Sequence, residues 1–125
     1  MDSRSERNLT GVHPDLVRVI RTAYAGLSDS IGFIVIEGLR TKKRQAELVA
    51  AGASTTMNGR HLTGHAVDLM ATVAGKGRWD WPLYKTLGDT VKAAAALEDV
   101  PIVWGGDWRT LRDGPHFELD RKVYA

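Results

Sequence analysis

At 125 residues the chain is long enough for one domain with a substantial hydrophobic core but too short for two. Its net charge of +2 is too small to indicate a nucleic-acid-binding protein, and its 43% hydrophobic and 26% charged residues are globular values that exclude global disorder. The absence of cysteine excludes disulfides and thiolate metal ligands, so a transition-metal site would have to use His, Asp or Glu.

Residues 1–12 are polar and are expected to form an N-terminal arm that ends at Gly11. They contain no apolar segment of the kind found in a secretory signal, and no run in the chain approaches the roughly 18 apolar residues of a membrane span. We therefore expect a single domain over residues 1–125 that is made without a signal peptide.

The first half of the chain predicts two helices and one buried strand. Pro14 and Asp15 suit a first helical turn, and apolar residues follow at helical spacing. Thr41 can cap the second helix. The predicted elements are a helix over about 14–27, a turn at 28–30, a strand over 32–37, a helix over about 42–51 and a polar loop over 53–60.

The second half alternates short strands with one long helix. The predicted elements are a strand over 66–70, a flexible break at 75–77, a helix over about 82–97, and strands over 102–104 and 116–119. The connections are too irregular for repeating parallel βαβ units. We therefore expect an α+β fold in which a small, mostly antiparallel sheet packs against helices.

His61 and Asp68 stand out as a pair of possible metal ligands. Asp68 lies in the middle of an apolar strand, where a buried carboxylate is unfavourable unless it is paired or binds a metal. Gly64 between them can supply a tight bend. A salt bridge from Asp68 to Arg40 or Arg60 is the alternative.

His65 competes with His61 for the ligand role. The two would share a helical face, as in helical zinc-protease motifs, but Gly64 and the strand pattern that follows argue against a helix. We therefore assign His65 to substrate contact or to a position beside the metal. His13, at a predicted helix start, is explained by hydrogen bonding to the helix end.

His116 and Asp113 are the second half of the candidate site. His116 begins the last predicted strand, with Glu118 on the same face. Asp113 precedes it across a Gly-Pro turn that can bring the carboxylate near the imidazole, although Asp113 is also typical of an ordinary turn. A site of His61, Asp68 and His116 would leave a tetrahedral ion one open position, as in catalytic zinc sites.

Two segments resemble a known family. Residues 60–68 (Arg-His-Leu-Thr-Gly-His-Ala-Val-Asp) and 113–118 (Asp-Gly-Pro-His-Phe-Glu) are similar to motifs of the zinc D-Ala-D-Ala carboxypeptidase and L-alanyl-D-glutamate endopeptidase group. Within that group the chain most resembles a single-domain phage endolysin, over nearly its whole length. The resemblance implies a hedgehog or D-Ala-D-Ala metallopeptidase-like fold, with the zinc site on the face of the sheet.

The resemblance also implies roles for individual residues. His61, Asp68 and His116 would be the zinc ligands, and Asp113 the catalytic base. The zinc would lower the pKa of its bound water and polarise the scissile carbonyl.

The family's Gly-x-Arg-Ser/Thr segment falls on residues 38–41. This match implies that Arg40 binds substrate or stabilises developing negative charge, with a structural salt bridge as the alternative. Many relatives have serine where this chain has Glu37, which leaves the hydrogen bonding around Arg40 open. The side chains expected to contact substrate are Gln45, His65, Trp104 and Asp107; Trp108 is a further candidate for the groove, and Trp104 could equally belong to the core.

The function expected on these grounds is zinc-dependent hydrolysis of the peptidoglycan stem peptide, by an L-alanyl-D-glutamate endopeptidase that acts as a phage endolysin in host lysis. The alternatives are a D-Ala-D-Ala carboxypeptidase, a noncatalytic wall-binding module with structural zinc, and a small metal-dependent nuclease that uses His61 and His65. We expect a monomer whose partner is peptidoglycan, with no nucleic acid and no membrane insertion. It would be made in the host cytoplasm and act on the wall, in the periplasm, after release.

Overall fold

An antiparallel sheet backed by helices forms the frame of the protein. The computed structural model describes residues 1–28, 30–53 and 59–125, so the turn expected at 28–30 and the polar loop expected over 53–60 lie partly outside the described residues. Within these ranges the helices are α1 Ser3–Asn8, α2 Pro14–Ala25, α3 Lys42–Ala50 and α4 Trp81–Glu98. The strands are β1 Ile31–Glu37, β2 Ala66–Val73, β3 Lys76–Arg78, β4 Ile102–Trp104 and β5 His116–Leu119.

The strand order is β1-β2-β5-β4, and β3 also pairs with β2. Each of these pairings is antiparallel, so the expected α+β fold with an antiparallel sheet is confirmed. Helices α2 and α4 pack against each other and cover the sheet. Their apolar faces and the inward side chains of the strands form one core, which includes the fully buried Leu16, Ile20, Val67, Leu69, Leu87, Val91, Phe117 and Leu119.

Residues 3–8 form a helix, so the expectation of an N-terminal arm was wrong for this segment. The carboxylate of Asp2 accepts a hydrogen bond from the Ser5 amide at 2.8 Å and caps α1. The Ser5 hydroxyl accepts a hydrogen bond from the Val35 amide, and the Asn8 side chain donates one to the Val35 carbonyl. These bonds satisfy the backbone N–H and C=O of Val35 on the edge of β1. So short a polar helix depends on tertiary contacts, which is why the sequence pattern did not predict it.

Residues 76–78 form strand β3, so the flexible break expected at 75–77 was also wrong. They pair with residues 71–73 of β2, which extends beyond the predicted end at residue 70. The turn between the strands has positive φ at Ala74 and Gly75. Positive φ at both positions is typical of a tight β-hairpin, but alanine at the first position is not a recognisable turn signal.

The predicted starts of α2 and α3 are confirmed by their caps. The His13 side chain accepts a hydrogen bond from the Asp15 amide at 3.1 Å, which supports the assignment of His13 to the N-terminus of α2. The Thr41 hydroxyl accepts one from the Arg44 amide at 3.1 Å and caps α3. None of the helices in the described ranges is both long enough and apolar enough to cross a membrane.

Candidate metal centre

Three acidic or basic side chains lie in a row across the middle strands of the sheet. Asp68 of β2 is directly opposite Glu37 of β1 on one side and His116 of β5 on the other. A register shift between Val35 and Glu37 places Glu37 in this row. Since residues that are opposite each other in neighbouring strands are close in space, the pairing register brings together residues far apart in the sequence.

His61 reaches the row from a short 3-10 helix, Arg60–Thr63, that precedes β2. Gly64 ends this helix with a φ of 74°, which confirms the expected tight bend. A Cβ atom at Gly64 would also lie 2.4 Å from the Gly11 carbonyl oxygen, so this position requires glycine. The bend turns the chain from the 3-10 helix directly into the strand that carries Asp68.

The ligand atoms of His61, Asp68 and His116 all lie within 4.8 Å of one another. Asp68 Oδ1 is 3.4 Å from His61 Nε2 and 3.2 Å from His116 Nδ1. Ligand atoms bound at 2.0–2.1 Å to a tetrahedral ion are separated by about 3.3 Å. The sequence therefore named three residues that the fold brings together at a separation that suits a metal ion.

The hydrogen bonding of His61 leaves one nitrogen free for a metal. Its Nδ1 lies 2.9 Å from the Gly38 carbonyl oxygen, which can only accept, so Nδ1 carries the proton. Nε2 faces the Asp68 carboxylate. Among the described residues, His61 Nε2 is one of two buried side-chain atoms without a hydrogen-bond partner. A proton on Nε2 or a metal ion between the two atoms would satisfy both groups across the 3.4 Å separation, so the site can accept a metal ion.

His116 is held in a complementary way. Its Nε2 lies 2.9 Å from Glu118 Oε1, and its Nδ1 faces Asp68. Burial alone would lower the pKa of His116, but its hydrogen bonds with Asp68 and Glu118 outweigh this effect and raise the pKa to about 9. In the metal-free protein His116 is therefore an imidazolium at neutral pH, and a metal ion would replace its Nδ1 proton while Nε2 stays bonded to Glu118.

Asp68 is anionic in this setting. Burial alone would raise its pKa, but contacts with His116 and His61 outweigh burial and hold the pKa well below its usual value. Arg40 Nη2 also lies 3.8 Å from Asp68 Oδ2. The salt bridge considered as an alternative is thus present together with the metal-ligand geometry, because each uses a different carboxylate oxygen.

Asp113 lines the cleft beside these three residues. Its amide donates to the Gly105 carbonyl at 3.0 Å, and its carbonyl accepts from the His116 amide at 3.1 Å, so the turn is fixed on both sides. Burial and the nearby charge of Asp68 raise the pKa of the Asp113 carboxyl above its usual value. A carboxyl group with a raised pKa next to a metal site is suited to take up and release a proton.

Arg40 is fixed by two neighbours. Its Nε and Nη2 donate to the two carboxylate oxygens of Glu37 at 2.6 and 2.8 Å, and its Nη1 donates to Gln45 Oε1 at 2.7 Å. Glu37, the departure from the family pattern, therefore holds Arg40 in a bidentate ion pair. Three of the five guanidinium donors are engaged by these groups.

The cluster lies in an open cleft of about 570 Å³. Its wall includes Trp108, whose ring centroid is 5.0 Å from that of His116. Arg60 and Arg121 also line the cleft, and both lie near the Glu118 carboxylate, with closest separations of 3.8 and 3.4 Å. The cleft thus offers both acidic and basic groups to a polar peptide.

Of the four side chains that were expected to contact substrate, one borders the cleft. Gln45 borders the cleft, but it is fully buried and contacts Arg40. Within the described part of the chain, the other three do not line the cleft. Trp104 is only 2% exposed and belongs to the core, Asp107 forms an ion pair with Lys92, and the imidazole of His65 bonds the Thr63 hydroxyl.

Two functional contacts had no role in the sequence interpretation. Glu118 hydrogen-bonds Nε2 of His116 and so fixes the orientation of its ring. The Gly38 carbonyl does the same for His61 through Nδ1. Strand alternation had placed Glu118 on the face of His116, so a signal for the first contact was available. No local signal indicates the second, because it joins residues 23 positions apart.

Comparisons with known proteins identify the family of the chain. A family model described as phage L-alanyl-D-glutamate peptidase matches residues 1–124. The crystal structure of the Serratia marcescens L-Ala D-Glu endopeptidase ChiX superposes with a TM-score of 0.91 at 50% sequence identity, and the match covers 99% of this chain and 92% of that chain.

Curated relatives are similar over different shares of their length. The L-alanyl-D-glutamate peptidase of Listeria phage A118 is 38% identical over 99 residues, which are 78% of this chain and 34% of the relative. That of Escherichia phage T5 is 28% identical over 124 residues, which are 96% of this chain and 88% of the relative. The chain thus spans about a third of the Listeria phage protein and most of the T5 protein.

Proposed function

The chain belongs to the phage L-alanyl-D-glutamate peptidase family, and from this premise we propose that it hydrolyses the bond between L-alanine and D-glutamate in the stem peptide of bacterial peptidoglycan. The observation that carries the proposal is the position of Asp113, beside the cluster of His61, Asp68 and His116 in an open cleft. A binding module with a purely structural metal has no need for a carboxylate at this position.

Zinc is the ion that best suits the site. Two imidazoles and one carboxylate are the usual ligands of zinc in hydrolytic enzymes, and they leave a position for water or substrate. His61 would bind it through Nε2, His116 through Nδ1 and Asp68 through Oδ1. The ion supplies Lewis acidity to the attacking water and to the scissile carbonyl.

Asp113 moves the protons in this proposal. Its carboxylate accepts a proton from the attacking water, holds it on oxygen, and donates it to the nitrogen of the leaving amine. The raised pKa of Asp113 brings the two protonation states closer in free energy at neutral pH, which serves both steps. The backbone bonds on either side of Asp113 keep the carboxylate in place during the transfer.

Arg40 stabilises negative charge near the floor of the cleft. Its ion pair with Glu37 and its hydrogen bond to Gln45 fix the plane of the guanidinium. The N–H groups that these partners do not use remain for a substrate carboxylate or for the developing oxyanion.

The biological setting is also part of the proposal. The family description and the relatives from phages A118 and T5 support a role in lysis of the bacterial host. In this proposal the protein acts as a monomer on the cell wall after release from the cytoplasm. The small net charge gives no support to a nucleic-acid substrate.

The decisive experiment is digestion of purified peptidoglycan followed by mass spectrometry. We expect fragments that begin with D-glutamate and glycan-linked products that end in L-alanine. Asp113→Asn and chelator-treated protein serve as inactive controls. Release of free D-alanine alone would instead identify a carboxypeptidase, and bound but intact peptidoglycan would identify a noncatalytic module.

A further inference from the structure

Two tryptophans are exposed at the junction of β3 and α4. Trp79 is 60% exposed and Trp81 is 45% exposed, on either side of Asp80. Large aromatic side chains that stay in solvent often mark a binding surface, because burial elsewhere would have been more favourable. Neither residue takes part in the metal centre.

The ring of Trp79 rests on a fixed partner. It stacks on Tyr84 with a centroid separation of 5.7 Å and an interplanar angle of 6°. Tyr84 is only 2% exposed, and its hydroxyl donates to the Arg78 carbonyl and accepts from the Ala71 amide. Trp79 therefore contacts a buried, hydrogen-bonded ring while most of its own surface remains exposed to solvent.

Trp81 is supported in the same way. It stacks on Trp104 at 5.8 Å with an angle of 24°. Trp104 is buried, and its indole nitrogen donates to the Gly114 carbonyl at 2.7 Å. Because both exposed rings are already immobilised, a ligand that stacks on them would lose little side-chain entropy on binding.

The two stacks meet at the turn that carries Asp113. A Cβ atom placed on Gly114 would lie 3.0 Å from Tyr84 Cβ and 3.3 Å from Trp81 Cζ3. Gly114 directly follows Asp113, which faces the cleft. Trp81, and Trp79 through its contact with Tyr84, therefore lie next to a turn that borders the cleft. The main strand of a polymer whose side branch occupies the cleft could extend to this surface.

The chemistry of this surface favours a carbohydrate. Pyranose rings present an apolar C–H face that stacks on indole, and polar groups around the ring edge that need hydrogen-bond partners. Asp80 lies between the two tryptophans in the sequence, and Arg78 precedes Trp79. The two form an exposed ion pair whose charged groups can supply such partners. An apolar protein partner would instead have to desolvate these charges.

We propose that Trp79 and Trp81 bind the glycan strand of peptidoglycan while the stem peptide occupies the cleft. This inference rests on the proposed function. It gives the catalytic domain its own means of attachment to the insoluble wall.

The test compares binding to the wall with cleavage of a peptide that lacks sugars. Trp79→Ala and Trp81→Ala are measured for co-sedimentation with purified peptidoglycan, in an Asp113→Asn background that prevents digestion. We expect affinity to fall about tenfold for each variant, which corresponds to a loss of about 1.4 kcal/mol of binding free energy. Trp79→Ala with Asp113 intact should cleave a soluble stem peptide at the wild-type rate. Leu97→Ala, an exposed apolar position at the other end of α4, is the matched control and should bind like the parent.

A second measurement does not depend on any substitution. Peptide-free glycan strands, added to the wild-type protein, should shift the indole N–H resonances of Trp79 and Trp81 and leave that of the buried Trp104 nearly unchanged. Unaltered sedimentation of both tryptophan variants, or glycan strands that leave the two resonances in place, would overturn the inference. A change in self-association on Trp79→Ala would reassign the surface to a second copy of the chain. Failure of the wild-type protein to cleave the soluble peptide would instead count against the proposed function.

Discussion

The Nε2 atom of His116 lies 2.9 Å from Oε1 of Glu118, two residues further along the same strand. This contact orients the imidazole so that Nδ1 faces Asp68 and the candidate metal position. A carboxylate behind a metal-bound histidine fixes its tautomer and makes it a stronger ligand. Glu118 is thus placed to influence the candidate metal site through His116.

Glu118→Gln should weaken zinc binding by about 10–100-fold, because the amide is a poorer acceptor for the imidazole N–H. Competition with a chromophoric chelator at neutral pH measures the affinity. Glu47→Gln, at an exposed position on α3, is the control and should leave it unchanged. Equal affinity in the two variants would remove Glu118 from the metal site.

His61→Ala should abolish stabilisation by zinc. A ligand that binds only the folded state raises the free energy of unfolding by about 2.7 kcal/mol at a hundredfold excess over its dissociation constant. The change in melting temperature on adding zinc to chelator-treated protein is the measurement. His13→Ala should remain stabilised, since His13 caps α2 and is not part of the His61, Asp68 and His116 cluster. A zinc-induced shift that survives in His61→Ala would contradict the ligand assignment.

Asp113→Asn should retain zinc and lose hydrolysis. Removal of a general base lowers turnover by about 10²–10⁴-fold, while the backbone bonds that hold the turn do not involve the side chain. Metal content and the rate of fragment release from peptidoglycan are measured on the same preparation. Asp89→Asn, at an exposed site on α4, should have normal activity. Comparable turnover in the two proteins would rule out Asp113 as the base.

The metal-free protein should lose stability between about pH 6.5 and 9. The pKa of His116 is raised to about 9 in the folded protein, from 6.5 in the unfolded chain. Protonated His116 therefore stabilises the fold fully below pH 6.5, and this contribution, on the order of 2–3 kcal/mol, disappears as the pH rises through 9.

Urea unfolding in the presence of a chelator, at pH 6.5 and at pH 9, measures this change. His13→Ala should show the same dependence. Zinc affinity should change in the opposite direction and rise with pH, because the metal displaces the Nδ1 proton. A metal-free protein that is equally stable at the two pH values would show that His116 is not protonated as described.

Glu37→Ala should destabilise the protein by about 1–3 kcal/mol, because it leaves the largely buried guanidinium of Arg40 without its bidentate partner. The free energy of unfolding in urea is the measurement. Glu47→Ala removes an exposed ion pair of α3 and should cost less than about 0.5 kcal/mol. A similar small effect for both would mean that Gln45 alone is enough to hold Arg40.

Much of the fold could be predicted because its signals are local. Helices α2, α3 and α4 follow from apolar spacing and end residues, and β1, β2 and β5 from short apolar runs. Helix α1 and strand β3 could not be predicted. Helix α1 is stabilised by side-chain bonds to Val35, which is distant in the sequence. Strand β3 pairs with the neighbouring β2, but its residues Lys76–Arg78 are not apolar and Ala74 is not a recognisable turn signal.

The sequence by itself determined the residues of the candidate site. An aspartate in an apolar strand and histidines beside turns can be recognised from the sequence pattern alone. His61, Asp68, Asp113 and His116 could therefore be named without coordinates. Only the tertiary structure decided which nitrogen of each histidine is free, that Glu37 and Gln45 both hold Arg40, and that Trp104 lies in the core while Trp79 and Trp81 face solvent. The physical reason is that residue type sets what a group can bind, whereas strand register and packing set what it meets.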